Sequence, residues 1–382
     1  MSKKNFLTVL ISFFLSIVLC YFLFFLNIHF KHLHKHPFLF KSIDTLNFNK
    51  HYYNKLHHLR DLDGRWENND KPENYLFSII NKFSINTDNI LLQGDSWMQG
   101  LNSRYKKSFN LINNFTKKNN IGLINAGVGS FSPSLMQIQY GILEEDFNIK
   151  PNVVIAYIDQ TDIGDELCRY KDKRVYDKNN VLIAVKKENY SRAVYDYGKI
   201  FFISEVMLLY DSTLIRSFKL TNFFIKYEFL RLIEKFKSIK KFGWKKRDVS
   251  KCHIPDILKY LIKSSNNEIY YFKDRVIDYI NFLLSKRYIE KIVLVTFPHH
   301  NLIFSYITSE NKKNYYTVNV SNIIETIAKN NKKIHHLNFS QLISDGKIIL
   351  EDYAFLKNDP ASHLTMMYHA NIFTQEIINL LK

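Results

Sequence analysis

The chain is short of glycine, proline and cysteine. Its 382 residues include 11 Gly and 7 Pro, too few for a collagen-like or low-complexity chain. Three Cys cannot build a disulfide framework. Cys168 and Cys252 are the one pair that could bridge in an oxidising compartment, but two unpaired thiols are the expectation. No period of fixed length recurs, which argues against a solenoid or propeller. Acidic residues are outnumbered, with 36 Asp and Glu against 53 Lys and Arg and a formal net charge of +17. Part of that charge reflects a general richness in Lys, Asn, Ile and Phe. Hydrophobic residues make up 46%, enough for a core and too many for a disordered chain. The length suits one large domain or two small ones.

Apolar length is concentrated at the N-terminus. Phe6 to Leu26 is a run of 21 residues without a charge. As a helix it spans roughly 31 Å, against about 30 Å for a bilayer core. Lys3 and Lys4 precede it, favouring an amino end in the cytoplasm, although Lys31, Lys35 and Lys41 follow. A cleaved signal peptide has a shorter apolar region, about 7–15 residues, ending in small side chains. Here Tyr21 to Leu26 is bulky throughout, and Leu19 stands where a lipidated Cys20 would need a small residue. The expectation is an uncleaved single-pass anchor over 1–30 in the cytoplasmic (inner) membrane, with the rest facing the periplasm or exterior. Four His between His29 and His36 lack a Cys or carboxylate companion and read as interfacial stalk residues rather than metal ligands.

A juxtamembrane stalk is expected over 31–88. Beyond it, short apolar runs alternate with amphipathic stretches. Strands are predicted at Asn89–Gln93, Gly122–Asn125, Asn152–Ile158, Lys291–Phe297 and Ile334–Asn338. Helices are predicted at Leu101–Lys118, Ser134–Phe147, Glu268–Ser285, Ser321–Lys329 and Leu364–Leu381. Continuously apolar strands alternating with helices imply an α/β fold with a parallel sheet covered on both faces. Between the third and fourth strands lies an insertion at about 171–290, expected to be largely helical. It carries 26 Lys and Arg against 14 Asp and Glu. Arg231–Lys251 holds nine basic residues and two acidic ones, interleaved with Phe236, Phe242 and Trp244. Outside the cytoplasm, anionic lipid or a surface polymer suits it better than nucleic acid, and a solvated helical face suits it as well.

Chemistry gathers at the predicted strand ends. Gly94-Asp95-Ser96-Trp97 follows the first strand and opens a helix. A Ser at such a turn exposes its hydroxyl at the carboxyl edge of the sheet, beside free helix-start N–H groups. Asn125-Ala-Gly-Val-Gly-Ser130 follows the second strand, with glycines that let backbone approach a ligand. Asp159-Gln-Thr-Asp162 follows the third, and Asp359-Pro-Ala-Ser-His363 precedes the last helix. A Ser needs a base to become nucleophilic, and a carboxylate can orient that base. A doubly wound sheet collects its active-site loops along this edge.

These four segments resemble the blocks of the SGNH (GDSL-type) hydrolases. The resemblance covers about 89–162 and 291–382, within a hydrolase-like domain of 89–382 that carries the insertion. It implies a three-layer α/β/α, flavodoxin-like fold. It assigns Ser96 as nucleophile, His363 as base and Asp359 as its orienting carboxylate. It places an oxyanion hole at Ser96, Gly129 and Ser130. The third block of that family supplies an Asn donor; here Thr161 holds its place, with Gln160 beside it. Asp and His are usually three apart in the last block, and here four. His299 and His300, after the fourth strand, are candidates for substrate contact. Neither a metal nor another cofactor is expected.

The resemblance implies a membrane-anchored serine esterase acting on acyl esters, acetyl above all, of a cell-surface glycan. Gly94-Asp95-Ser96-Trp97, the Asn-x-Gly segment and the late Asp…His pair look like membrane-anchored relatives that add or remove acetyl groups on surface polysaccharides. Two alternatives stay open: an O-acyltransferase using the same site, and a non-catalytic surface-polymer binding or assembly protein on the same fold. The expected partners are the acyl-ester substrate and membrane lipid, not nucleic acid.

Overall fold

The computed structural model describes residues 3–27, 55, 76–84, 88–102, 104–185, 194–196, 199–201, 252, 254–300, 302, 318–329, 331–357, 359 and 362–382. Most of the stalk, the His29–His36 cluster and the basic run Arg231–Lys251 lie outside the described residues. The strands, in chain order, are β1 (Ser78–Asn81), β2 (Asn89–Gly94), β3 (Gly122–Gly127), β4 (Val153–Tyr157), β5 (Arg174–Tyr176), β6 (Leu182–Val185), β7 (Val194–Asp196), β8 (Lys199–Phe201), β9 (Lys291–Thr296) and β10 (Ile334–Asn338). The helices are α1 (Lys3–Asn27), α2 (Ser96–Gln99), α3 (Lys106–Lys118), α4 (Pro133–Phe147), α5 (Ile254–Ile262), α6 (Asn266–Leu284), α7 (Val320–Ala328) and α8 (Phe339–Ser344). The last helical stretch runs through Met366–Tyr368, a π-turn at His369–Thr374, and Gln375–Leu380.

The chain forms two units. The first comprises Met1–Tyr52, Arg60–Pro72 and Asn189–Val249, and its described elements are α1 and the β7–β8 hairpin. Apolar side chains of α1 stand exposed, Phe13 at 67% and Phe14 at 66%. Among the described residues, no helix is long and apolar enough to cross a membrane. Within α1, the unbroken stretch of described side chains runs only from Ile11 to Leu23.

The second unit comprises Tyr53–Leu59, Glu73–Glu188 and Ser250–Lys382 and is built on a six-stranded sheet, in the order β1-β3-β2-β4-β9-β10. All neighbours are parallel except β1, which runs antiparallel to β3 at the edge. The centre of the sheet is apolar on both faces. Ile90, Leu92, Ile155, Tyr157, Val293 and Val295 alternate onto one face, in one core with Ile112 of α3 and Phe373 and Ile377 of the last helix. Leu91, Val154, Ile292 and Leu294 are fully buried on the other. Gln93 marks that second face. Its amide donates to the Met136 carbonyl at 3.0 Å and to Gln139 Oε1 at 2.9 Å, and its Oε1 accepts from Tyr279 at 2.8 Å. This joins β2 to α4 and α6, and it satisfies every polar atom of a fully buried amide.

The observed strands and helices fall within a few residues of those predicted, except that α3 begins at Lys106 rather than Leu101. The helix predicted from Glu268 begins two residues earlier. Ser265 caps it, its backbone N–H donating to Glu268 while Glu268 N–H donates back to Ser265 Oγ. Ser78–Asn81, read as stalk, is strand β1. The insertion is not wholly helical, since Arg174–Tyr176 and Leu182–Val185 pair as a hairpin. Cys168 and Cys252 form a disulfide, correcting the expectation of free thiols. They stand 84 residues apart, but the turn after β4 and the lead-in to α5 bring their Cα atoms within 5.7 Å.

At the carboxyl ends of β2 and β3 the backbones come very close. A Cβ on Gly127 would lie 2.4 Å from both the Met98 Cβ and the Gln99 backbone nitrogen. Gly127→Ala should therefore cost about 1–3 kcal/mol as an overpacked core position. The check is the urea midpoint at constant m-value. An unshifted midpoint would contradict this packing.

Candidate active site

Ser96 is the first residue of α2, a single helical turn directly after β2. The turn into it needs Gly94 at φ 147°, where a Cβ would meet that of Tyr157 at 2.9 Å. Asp95 caps α2, its carboxyl accepting from Trp97 N–H at 2.9 Å. Asn125 holds the neighbouring strand end in place. Its amide donates to the Met98 carbonyl at 2.8 Å while its Oδ1 accepts from Gly127 N–H at 3.0 Å.

The last segment closes on this turn. Ser96 Oγ lies 2.7 Å from His363 Nε2, and His363 Nδ1 lies 2.5 Å from Asp359 Oδ2. His363 N–H also donates to Asp359 Oδ2 at 3.3 Å. The four-residue spacing is absorbed by a tight turn. Ser362 adopts φ 56°, and its N–H donates to the Asp359 carbonyl at 3.1 Å. Leu356 N–H donates to the His363 carbonyl at 2.8 Å, and Thr365 N–H to the Ala354 carbonyl at 2.7 Å. The ladder pins the base on one side of the turn.

His299 and His300 line this turn differently from the expectation. His299 is buried. His300 Nδ1 is 2.7 Å from Ser362 Oγ, which also accepts from the His300 N–H at 3.3 Å. His300 thus braces the residue before the base.

The predicted oxyanion residues separate into two groups. Gly129 and Ser130 stay beside Ser96, a Cβ on Gly129 lying 3.9 Å from that of Ser96. The Gly129 N–H donates to Gln99 Oε1 at 3.1 Å, so a Gln one turn beyond Ser96 holds that amide. Ser130 is left-handed at φ 63°. The other group is engaged elsewhere. Thr161 directs both its N–H and its hydroxyl to Asp159 Oδ2. Gln160 is buried and ties the start of α7, accepting from Val320 N–H at 3.1 Å and donating to Ser321 Oγ at 3.3 Å. Both side chains hold local structure instead of reaching toward Ser96.

Three buried groups here went unassigned in the sequence. Trp97 packs against His363 and Phe297, its ring 5.9 Å and 5.1 Å from theirs. His369 lies stacked at 3.7 Å on Tyr105 and receives Ser108 at 2.8 Å. Burial, aided by the charge of His363, pushes the His369 imidazole down to about 3 and keeps it neutral. Asp95, Asp162 and Asp165 form a buried carboxyl cluster with Asp159. Burial and then Asp159 raise Asp95 well above the usual carboxylate range, and burial and then Asp95 raise Asp162 likewise. Ser96 Oγ has Asp95 Oδ2 as a second neighbour at 3.3 Å. Among the described residues, no group of three His, Cys, Asp or Glu is placed to hold a metal ion.

No protein-family model and no curated protein matches the chain. Solved structures similar to it include two of Axe2 variants from Geobacillus stearothermophilus. One is described as an acetyl-xylooligosaccharide esterase and the other as a catalytic mutant of an acetylxylan esterase. Each is 12% identical, over 77% of this chain and 96% of the other, with a TM-score of 0.34. So low an overlap says nothing about the chemistry of this chain.

The carboxyl cluster makes a stability prediction. Burial raises Asp165 from 3.8 to about 6 despite the opposing charge of Arg169. A folded-state value above the unfolded one means the native state holds this proton more tightly. The contribution is complete below about pH 4 and lost as pH rises through about 6. Asp165→Asn removes that loss. Its melting temperature, measured relative to wild type, should rise steadily from about pH 4 to about pH 7. A difference that stays flat, or falls, would contradict the assignment.

Proposed function

We propose that the chain is a serine esterase of the SGNH type. The observation carrying this reading is the relay Ser96–His363–Asp359, at 2.7 Å and 2.5 Å, on the carboxyl edge of a parallel sheet. Ser96 Oγ attacks the ester carbonyl and passes its proton to His363 Nε2. Asp359 fixes the Nδ1–H tautomer and stabilises the imidazolium. The tetrahedral oxyanion is met by the N–H groups of Ser96 and Ser130, and by that of Gly129 once Gln99 yields it. Collapse expels the alcohol, which takes the proton back from His363. Water, deprotonated by the same base, then releases the acid and regenerates Ser96.

Acetyl esters of a cell-surface glycan are the proposed substrates, and α1 the proposed anchor in the cytoplasmic membrane, with the sheet unit outside. Phe6–Leu26 carries no charge, Lys3 and Lys4 precede it, and the described side chains of α1 from Ile11 to Leu19 are exposed. The Cys168–Cys252 bridge supports an oxidising compartment. An O-acyltransferase would use the same acyl-enzyme with a sugar hydroxyl in place of water.

Ser96→Ala and His363→Ala should each lower kcat/KM for an aryl acetate by about 10⁴-fold or more, with circular dichroism unchanged. Retained turnover in Ser96→Ala would exclude the mechanism. The anchor is tested separately. Full-length protein should stay with membranes through a carbonate wash, and a chain lacking residues 1–27 should not. Release of the full chain by the wash would remove the anchor from the account.

A further inference from the structure

Ser130 is held from two sides by adjacent residues of the π-turn Asp165–Tyr170. Arg169 donates to Ser130 Oγ at 2.9 Å, and the Tyr170 hydroxyl donates to the Ser130 carbonyl. Ser130 carries φ 63°, a strained conformation for a residue with a Cβ. With its carbonyl and Oγ fixed, that φ sets the direction of its N–H and of the peptide linking it to Gly129. Arg169 is itself oriented by two further partners, Asp165 at 2.7 Å and the Cys252 carbonyl at 3.4 Å. Tyr170 is fully buried. The residue preceding Arg169 is Cys168, bridged to Cys252. The guanidinium therefore touches the backbone of one bridged half-cystine and follows the other in sequence.

We propose that Arg169 and Tyr170 are positioning residues that orient the Gly129–Ser130 peptide toward Ser96, and that the Cys168–Cys252 bridge is the tether that holds them. The proposal rests on the esterase reading for the function of that peptide. Turnover then depends on the redox state of a bond outside the triad. A dithiol converts the bridge into two thiols and is itself oxidised to a disulfide, so two electrons and two protons pass to Cys168 and Cys252. The segment carrying the Cys252 carbonyl is then released, and Arg169 loses that partner. A chain exported to an oxidising compartment gains a competent site there. The same chain held with reduced thiols has its nucleophile and base but a loosened oxyanion loop.

The test uses the full chain in detergent. Iodoacetamide alkylation followed by intact mass should add one group to the oxidised protein, at Cys20, and three after dithiothreitol. The reduced, alkylated protein should turn over an aryl acetate with kcat about 10-fold lower and KM within about twofold. That loss is below the roughly 10²–10³ seen when an oxyanion donor is removed outright. Arg169→Met, with its bridge intact, should show the same split, and Arg169→Lys should restore part of kcat. Hydrogen exchange of the peptide spanning 128–131 should quicken in the reduced protein and in Arg169→Met. Where the reduced chain unfolds, Arg169→Met carries the test alone. Wild-type kcat in Arg169→Met, or unchanged exchange at 128–131, would overturn the clamp. Ser96→Ala run in parallel separates the two readings. Retained turnover there overturns the esterase reading, and the exchange data then judge the clamp by themselves.

Discussion

The site depends on one hydrogen bond, between Ser96 and His363, which joins residues 267 apart in the chain. Neither residue is catalytically useful alone. A Ser hydroxyl is a weak nucleophile without a base within hydrogen-bond reach. The bond forms because both ends are fixed independently. Ser96 is fixed by a one-turn helix that Asp95 caps and Asn125 holds from the next strand. His363 is fixed by a short antiparallel ladder, by Asp359 below it and by His300 through Ser362. The parallel sheet supplies the common frame, since the β2 turn and the loop after β3 both lie at its carboxyl edge.

Beneath that frame the site is aromatic. Trp97, Tyr157, Phe297 and Phe373 form a packed floor. Burial near Ser96 disfavours the charged forms of several titratable groups. His369 is kept neutral, and Asp95 and Asp162 are pushed toward their neutral forms. The exceptions are the ion pairs of Arg169 with Asp165 and of Arg174 with Glu166. Both arise from the segment after β4, where the disulfide also sits. That stretch also carries the covalent tether, and it reaches the Gly129–Ser130 loop through Arg169 and Tyr170.

Much of this was legible in the sequence, for identifiable reasons. β2, β3, β4, β9 and β10 could be read because central parallel strands are apolar runs bounded by polar turns. Ser96, Asp359 and His363 could be read because each falls just beyond such a run or just before the last helix. β1 was missed because its four residues form a short, half-exposed edge strand inside a stretch read as stalk. Where Gln160 and Thr161 direct their side chains could not be read, because the motif alone does not say which partners its residues take. Val320 and Ser321 claim Gln160 from 160 residues away, and Asp159 claims Thr161. Cys168 and Cys252 gave no spacing signal across 84 residues. His369 and the buried Asp cluster looked like ordinary polar residues, because burial is a property of the packed chain.

The central claim is that Ser96 is the activated nucleophile of an acyl-transfer site. The most direct measurement is peptide mapping by mass spectrometry after reaction with a fluorophosphonate, whose phosphorus is attacked by an activated serine oxygen with loss of fluoride. The account predicts a single covalent adduct on the peptide holding Ser96, lost on prior unfolding. An adduct confined to another residue, or an unmodified Ser96 in folded protein, would contradict it.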